Sequence, residues 1–509
     1  MNETRASRSP GLRAWLGLLV ILGPVLLVAM DGSVLFLAMP RISAELSPTA
    51  DQSLWILDVY GFAVGALLIA FGNLGDRYGR LRLLMIGTAA FGAGSLGAAF
   101  APTPELLIAF RALMGVAGAT LLPSALAVLS ELFTDRRQRA RAIGIFAAAF
   151  AAGFAIGPIT GGQLLSHFWW GSVFLINLPV VLLFLALAPV LLREVRSGGT
   201  GRVDAPSVLL SAAGIVLSVY TIKHLAGEGP APALALTGPA GIVLLAAFAR
   251  RQLRLPRPLV DFRLFRDRVF SIAVVTGLLP LAAWSAVAYL GGIHLQSVLG
   301  LSAFDAALVA VPGAIVLTAT SIVTPALVAR TGTRAALLAS HFTIAGGLLL
   351  LLPLGVSGGL GWYAASTAVA GVGYGISFAV VADTAVAAAP PERAGAAGAI
   401  AETSNELGNA LGIALLGSLA TLLFRLQGPD LAATLPETLH LPGISAAAVA
   451  DAKSAFTTGL HAVAVTAAVL HAALGAFTLR RVPRPGSSAP RPVDDASALL
   501  AAEEAPSSR

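Results

Sequence analysis

Long apolar runs alternate with short polar segments from residue 14 to residue 479. About 20 apolar residues in a helix cross the ~30 Å hydrocarbon core of a bilayer, and the runs have that length. Alternating segments of the kind that build a membrane barrel are not seen, so the runs predict helices. Fourteen are expected, at 14–40, 54–71, 83–101, 106–132, 142–165, 173–192, 206–225, 233–250, 269–293, 304–329, 335–353, 361–386, 396–424 and 456–479. One polar interruption stands out. In Ala401–Gly412, AETSNELGNALG, Glu402 and Glu406 are four residues apart and therefore on one helix face, with Asn405 and Asn409 beside them. A charge near a bilayer centre costs about 2.5 to 3.5 kcal/mol on insertion scales and normally faces a protein interior or a water-filled path. The pair predicts proton or cation binding, against the plainer reading of a packing carboxylate kept neutral.

Composition agrees with the pattern. The 509 residues are 57% hydrophobic and 12% charged, where soluble domains carry about 25% charge. The absence of cysteine removes disulfides and thiolate metal sites. The net charge of +7 comes from loops. Alternate segments counted from the N-terminus hold 28 basic residues, the opposite loops hold Arg41, Lys223, Arg425 and Lys453, and Arg111 falls inside a span. This asymmetry places both termini in the cytoplasm and accounts for the basicity without nucleic acid. The expected organisation is a cytoplasmic N-terminus (1–13), a six-helix bundle (14–192), an extra helix pair (206–250), a basic cytoplasmic loop (251–268), a second six-helix bundle (269–479) with a long outside loop (425–455), and a disordered tail (480–509).

Local motifs refine this. After the second span, GNLGDRYGRLRL has small residues that let two helix ends approach, and Asp76 can pair with Arg77, Arg80 or a neighbouring helix end. It resembles the loop signature of the major facilitator superfamily, matched at Gly72, Leu74, Asp76, Arg77, Gly79 and Arg80, where such a ladder latches one conformation. A weaker echo, ALVARTGTR, keeps Arg330, Gly332 and Arg334 but has Ala329 in place of an acid. Arg111, in RALMGVAGA, requires a buried carboxylate or carbonyl partner. It is similar to the superfamily's R-x-x-x-G pattern, which implies a proton relay. GFAIGPITGG carries Gly153, Gly157 and Gly161 at four-residue spacing, a smooth face for close packing, with Pro158 able to kink the helix and Gly162 following. It resembles the superfamily's antiporter signature.

The first span ends MDGSVLFLAMP, which resembles the signature of the fourteen-span drug:proton antiporters at Asp31, Val34, Ala38 and Pro40, with Ser33 and Phe36 replacing Thr and Asn. WILDVYGF adds Asp58, one turn from the outer end of the second span, where a solvated rim is the competing reading. Asp305 stands at the mouth of the tenth span, Asp383 near the inner end of the twelfth, and His294, His341, His461 and His471 are scattered.

The resemblance implies an all-α major facilitator fold of two six-helix bundles plus two central helices. It further implies a multidrug exporter of quaternary ammonium-like lipophilic cations, working by alternating access in the cell membrane. Asp31, Glu406 and Glu402 are then the acids that take cation and proton in turn, with Asp58 a further candidate. Trp55, Tyr60, Phe150 and Phe378 are candidate aromatic walls that read more readily as packing. No cofactor is expected beyond the proton gradient; neither a phosphate-binding P-loop nor an enzyme's cluster of nucleophile and base is present in the sequence. A monomer is the expected unit. Alternatives are a dedicated exporter of one endogenous antibiotic or metabolite, and a non-transporting receptor or sensor.

Overall fold

The computed structural model describes residues 12–481 apart from 134, 196–203, 228, 257, 389–393, 428–431, 433 and 440, together with all but a few side chains inside helices. The expected disordered tail and most of the N-terminal segment lie outside the described residues. The described residues are helical, without a strand. The order is α1 (Leu12–Leu46), α2 (Ala50–Tyr78), α3 (Arg80–Ala99), α4 (Pro104–Leu132), α5 (Arg136–His167), α6 (Ser172–Leu175) and α7 (Asn177–Leu191). The pair α8 (Ala205–Gly227) and α9 (Leu234–Arg254) follows. Then come α10 (Arg268–Ile293), α11 (Ala303–Thr331), α12 (Thr333–Leu349), α13 (Leu360–Ala388), α14 (Ala394–Leu411), α15 (Ser418–Gln427), α16 (Leu435–Leu439) and α17 (Ala446–Arg481).

Twelve of these helical stretches are long and apolar enough to cross a membrane. Two helices at expected spans are not among the twelve counted over the described residues: α5, of which Arg141–Phe150 is the described apolar stretch, and α12, which has 17 residues. Pro40 does not end the first helix, which continues to Leu46; one lost backbone bond is tolerated while Met39 and Ile42 stay buried on either side. The expected outside loop is also shorter in extended chain than its sequence suggested. The stretch 446–455, expected in the outside loop, is the start of α17.

The helices form two bundles with matching contacts. In the first, α1 packs on α5 and α7, and α4 on α2 and α3; in the second, α10 packs on α13 and α14, and α13 on α11 and α12. The bundles meet along α2 with α14 and α5 with α11. The hairpin α8–α9 lies outside both and leans on α2 and α15. Its base is tied by Asp204, which accepts from Arg251 Nε at 2.9 Å and Nη2 at 2.8 Å. The bond to that guanidinium holds the Asp204 carboxyl below its ordinary range.

At the end remote from both termini the α5–α11 contact is tight: a methyl group on Gly162 would come 2.9 Å from Phe304 Cα. Toward the other end, Ile322, Val323 and Leu327 of α11 are exposed, and a methyl on Gly72 would meet nothing within 4 Å.

Candidate functional site

The glycines of α5 determine how α1 sits. Methyl groups on Gly153, Gly157 and Gly161 would collide respectively with Ala29, with Ser33 and the Met30 backbone, and with Val34, so the two helices touch backbone to side chain. That contact fixes the rotation of α1 and turns Asp31 into the first bundle, where it is 2% exposed.

Arg111, 1% exposed about two turns into α4, forms an ion pair with Asp31 and donates from Nε to the Ile56 carbonyl at 3.2 Å. Its expected carboxylate partner is therefore Asp31. The guanidinium also stands 5.0 Å from the centre of the Tyr60 ring. Gly115 and Gly118, one and two turns below Arg111, make this possible: methyls there would lie 2.9 Å from Tyr60 Cα and 2.7 Å from its hydroxyl. Tyr60, expected as a wall residue, is thus part of the polar centre, and its buried hydroxyl has no hydrogen-bond partner among the described residues. Asp31, Arg111 and Glu406 all lie within electrostatic reach of that hydroxyl.

Glu406 arrives from the other bundle. Gly408 of α14 and Gly412 just after its end press on Leu278 and Ala282 of α10, while Ala410 and Leu407 press on Gly61 and Gly65 of α2. The acid is held between the bundles at 8% exposure, and it has no hydrogen bond or ion pair among the described residues. Glu402, one turn earlier, is half-buried and accepts from Asn405 Nδ2 at 3.4 Å. A π-helical turn, Gly412–Gly417, follows, and the Asn409 carbonyl bonds Ser285 Oγ at 2.8 Å.

Asp58 belongs to a different pair. It is 1% exposed rather than on a solvated rim, and Lys223 Nζ donates to its Oδ1 at 2.7 Å. Lys223, expected in an outside loop, is instead a fully buried residue of α8. Asp305 accepts from Ser302 Oγ at 2.7 Å in the first turn of α11, a capping arrangement. The Asp383 side chain lies outside the described residues. His341 and His471, scattered in sequence, come together with Nδ1 atoms 3.2 Å apart, and Thr276 Oγ1 lies 3.1 Å from His341 Nε2. Among the described residues, no three potential metal ligands cluster.

The loop after α2 holds a residue that the motif did not disclose. Gly79 has φ 114°, a conformation side chains rarely adopt, and its amide closes α2 on Gly75 at 2.9 Å. Above it lies the carboxylate of Glu194, which accepts from Leu81 N at 2.9 Å and Arg82 N at 3.1 Å and so caps α3. The side chain of Asp76 lies outside the described residues; Arg77 is exposed and stands over the Tyr78 ring at 5.1 Å, and Arg80 N bonds the Val195 carbonyl at 2.9 Å. The echo repeats the turn, with Gly332 at φ 81° closing α11 on Val328, and there Arg334 bonds the Leu479 carbonyl. Gly79→Ala is expected to cost about 1 to 3 kcal/mol of backbone strain. The thermal midpoint of the purified protein should fall, and Glu194→Ala should lower it less; an unchanged midpoint for Gly79→Ala contradicts this account.

A cavity of about 110 Å³ lies between α1, α5, α10, α11 and α13, and meets α1 at Ser33, two residues from Asp31. Ser33, Phe36, Pro158, Trp284, Tyr363 and Tyr374 contribute to its wall, which carries no charged side chain. Phe36 meets Trp284 edge to face at 5.9 Å. The aromatic residue at 36 thus gives an apolar wall where the resembled signature has an amide.

Residues 24–413 match the family model described as Major Facilitator Superfamily. The multidrug efflux pump LfrA of Mycolicibacterium smegmatis is 39% identical over 480 residues, covering 91% of this chain and 95% of that protein. The methyl viologen resistance protein SmvA of Salmonella typhimurium is 36% identical over 426 residues, covering 81% and 83%. Among solved structures, a bacterial homolog of the human lysosomal transporter Spinster superposes with a TM-score of 0.66 at 16% identity, covering 93% of this chain and 98% of that one.

Proposed function

The chain belongs to the major facilitator superfamily, as a multi-pass membrane transporter and not an enzyme, and from that premise we propose that it exports lipophilic cations in exchange for protons. The observation that carries this reading is Glu406: a buried carboxylate between the two bundles, without a hydrogen bond or ion pair among the described residues, within electrostatic reach of Tyr60, which itself stands over the arginine of the Asp31–Arg111 pair. An unpaired carboxylate in a low-dielectric interior is neutralised either by a proton or by a cation. Because one group takes both, binding of one expels the other, and that competition is the coupling.

In the cycle proposed, Glu406 gives up its proton on the cytoplasmic side and takes the positive centre of the substrate. After the bundles rock, a proton from outside replaces the cation. Tyr60, which feels Glu406 as well as the Arg111–Asp31 pair, links the acid to the first bundle. The neighbouring cavity receives the apolar body of the substrate through Phe36 and Trp284. The tight Gly162 contact at the end remote from the termini supports a state closed to the outside. A relative named for resistance to methyl viologen, a bis-quaternary dication, and another named as a multidrug efflux pump support drug efflux and a cationic substrate class.

The fourteen-span arrangement is part of the proposal. Helices α5 and α12 supply the two further spans, and α8–α9 are the pair inserted between the bundles. The 28 basic residues of alternate segments support cytoplasmic termini. Efflux of a dye cation from loaded cells provides the test. A proton uncoupler is expected to stop efflux, and efflux that continues unchanged after uncoupling contradicts proton exchange.

A further inference from the structure

Lys223 is buried in a setting that resembles an organic-cation site. Its ammonium bonds Asp58 Oδ1 at 2.7 Å and stands 4.0 Å from the centre of the Trp55 ring. Trp55 and Asp58 are three residues apart on α2, so ring and carboxylate share one helix face. A carboxylate beside an aromatic face is a recurrent way of holding a lipophilic ammonium. An ion pair built purely for stability is expected to satisfy the remaining lone pairs as well. Here Asp58 Oδ2 is buried and has no hydrogen-bond partner among the described residues. The other ionisable groups that act on the pair are Asp51 of α2 and Tyr289 of α10.

The site lies on the seam that must move in transport. On α8, Val219, one turn before Lys223, packs with Phe62 of α2, Ala410 of α14 and Ala414 of the π-helical turn. Arg425 of α15 donates to the Ala226 carbonyl at 3.1 Å. The inserted hairpin therefore touches both bundles, and its lysine is the charged group it presents to the first.

We propose that Asp58 and Trp55 form a second organic-cation box, on the reading of the chain as a cation exporter, and that Lys223 is a tethered cation occupying it until a lipophilic monocation takes its place. The exchange preserves charge, so Asp58 is not left buried and unpaired. Lys223 is then a specificity-determining residue supplied by the inserted helices.

Binding of tetraphenylphosphonium to the purified full-length protein in lipid nanodiscs tests this. In a Glu406→Gln background, Lys223→Met is expected to tighten binding about tenfold or add a second equivalent, and further Asp58→Asn or Trp55→Leu to abolish that gain. Undiminished binding by Glu406→Gln alone is a separate result, and counts against Glu406 rather than Lys223. Folding of each variant is read from its thermal transition. Wild-type protein gives an independent measurement, because the chain has two lysines, Lys223 and Lys453. Saturating tetraphenylphosphonium is expected to raise modification of Lys223 by a membrane-permeant amine reagent relative to Lys453. A folded Lys223→Met variant without the gain, a gain that survives Asp58→Asn, or labelling of Lys223 that the cation leaves unchanged overturns the proposal.

Discussion

Glu406→Gln is expected to lower export of a lipophilic monocation by about tenfold or more while leaving the protein in the membrane at its normal abundance. The substitution keeps the volume and removes the charge, so the contacts of its neighbours Leu407 with Gly65 and Ala410 with Gly61 should persist. A buried carboxylate without a partner opposes folding whenever it is ionised, and its amide does not. Thermal stability should therefore stay level or rise as transport falls. Loss of transport together with loss of abundance would point to a packing role instead. Glu402→Gln is the control on the same face: Glu402 is half-buried and already has Asn405, so its removal should have the smaller effect.

The second large effect concerns Arg111. Arg111→Met leaves Asp31 buried without its partner, and breaking a buried pair from one side costs about 3 to 5 kcal/mol. That is a sizeable share of the stability of a folded protein, so membrane abundance should collapse. Asp31→Asn combined with Arg111→Met removes both charges and should return abundance toward wild type. Transport should not return, because Tyr60 and Glu406 lose the charged pair beside them. A double variant as scarce as Arg111→Met alone would show that the pair is not the source of the loss. Abundance is measured by immunoblot of isolated membranes, and transport by dye efflux from the same cells.

The glycines of α5 could be understood from the sequence alone, since four-residue spacing brings Gly153, Gly157 and Gly161 to one helix face whatever lies opposite. The need of Arg111 for a partner was legible for a similar reason, because no position in a bilayer accommodates a lone guanidinium cheaply. Its identity was not, as Asp31 lies 80 residues away in sequence. Tyr60 read as packing because a tyrosine in an apolar run usually is; its role depends on Gly115 and Gly118, which bring α2 onto α4.

Lys223 was misread for a physical reason. A lysine near the end of an apolar run usually reaches the interface, and only the docking of α8 against α2 puts Asp58, 165 residues earlier, within bonding distance. Glu194 carries no local signal, being one acid in a basic segment, and its function emerges only from the exposed amides at the start of α3. The helix at 333–349 is shorter than the run that predicted it, because the chain turns at Leu350–Leu354 although the residues there remain apolar.

The claim that one buried acid exchanges protons for cations is tested most directly by proton release. Purified wild-type protein in detergent, weakly buffered at neutral pH, is mixed with tetraphenylphosphonium and followed with a pH indicator. The account predicts that the cation releases protons from wild type and none from Glu406→Gln. Equal release from both proteins, or binding to wild type with no release, would contradict it.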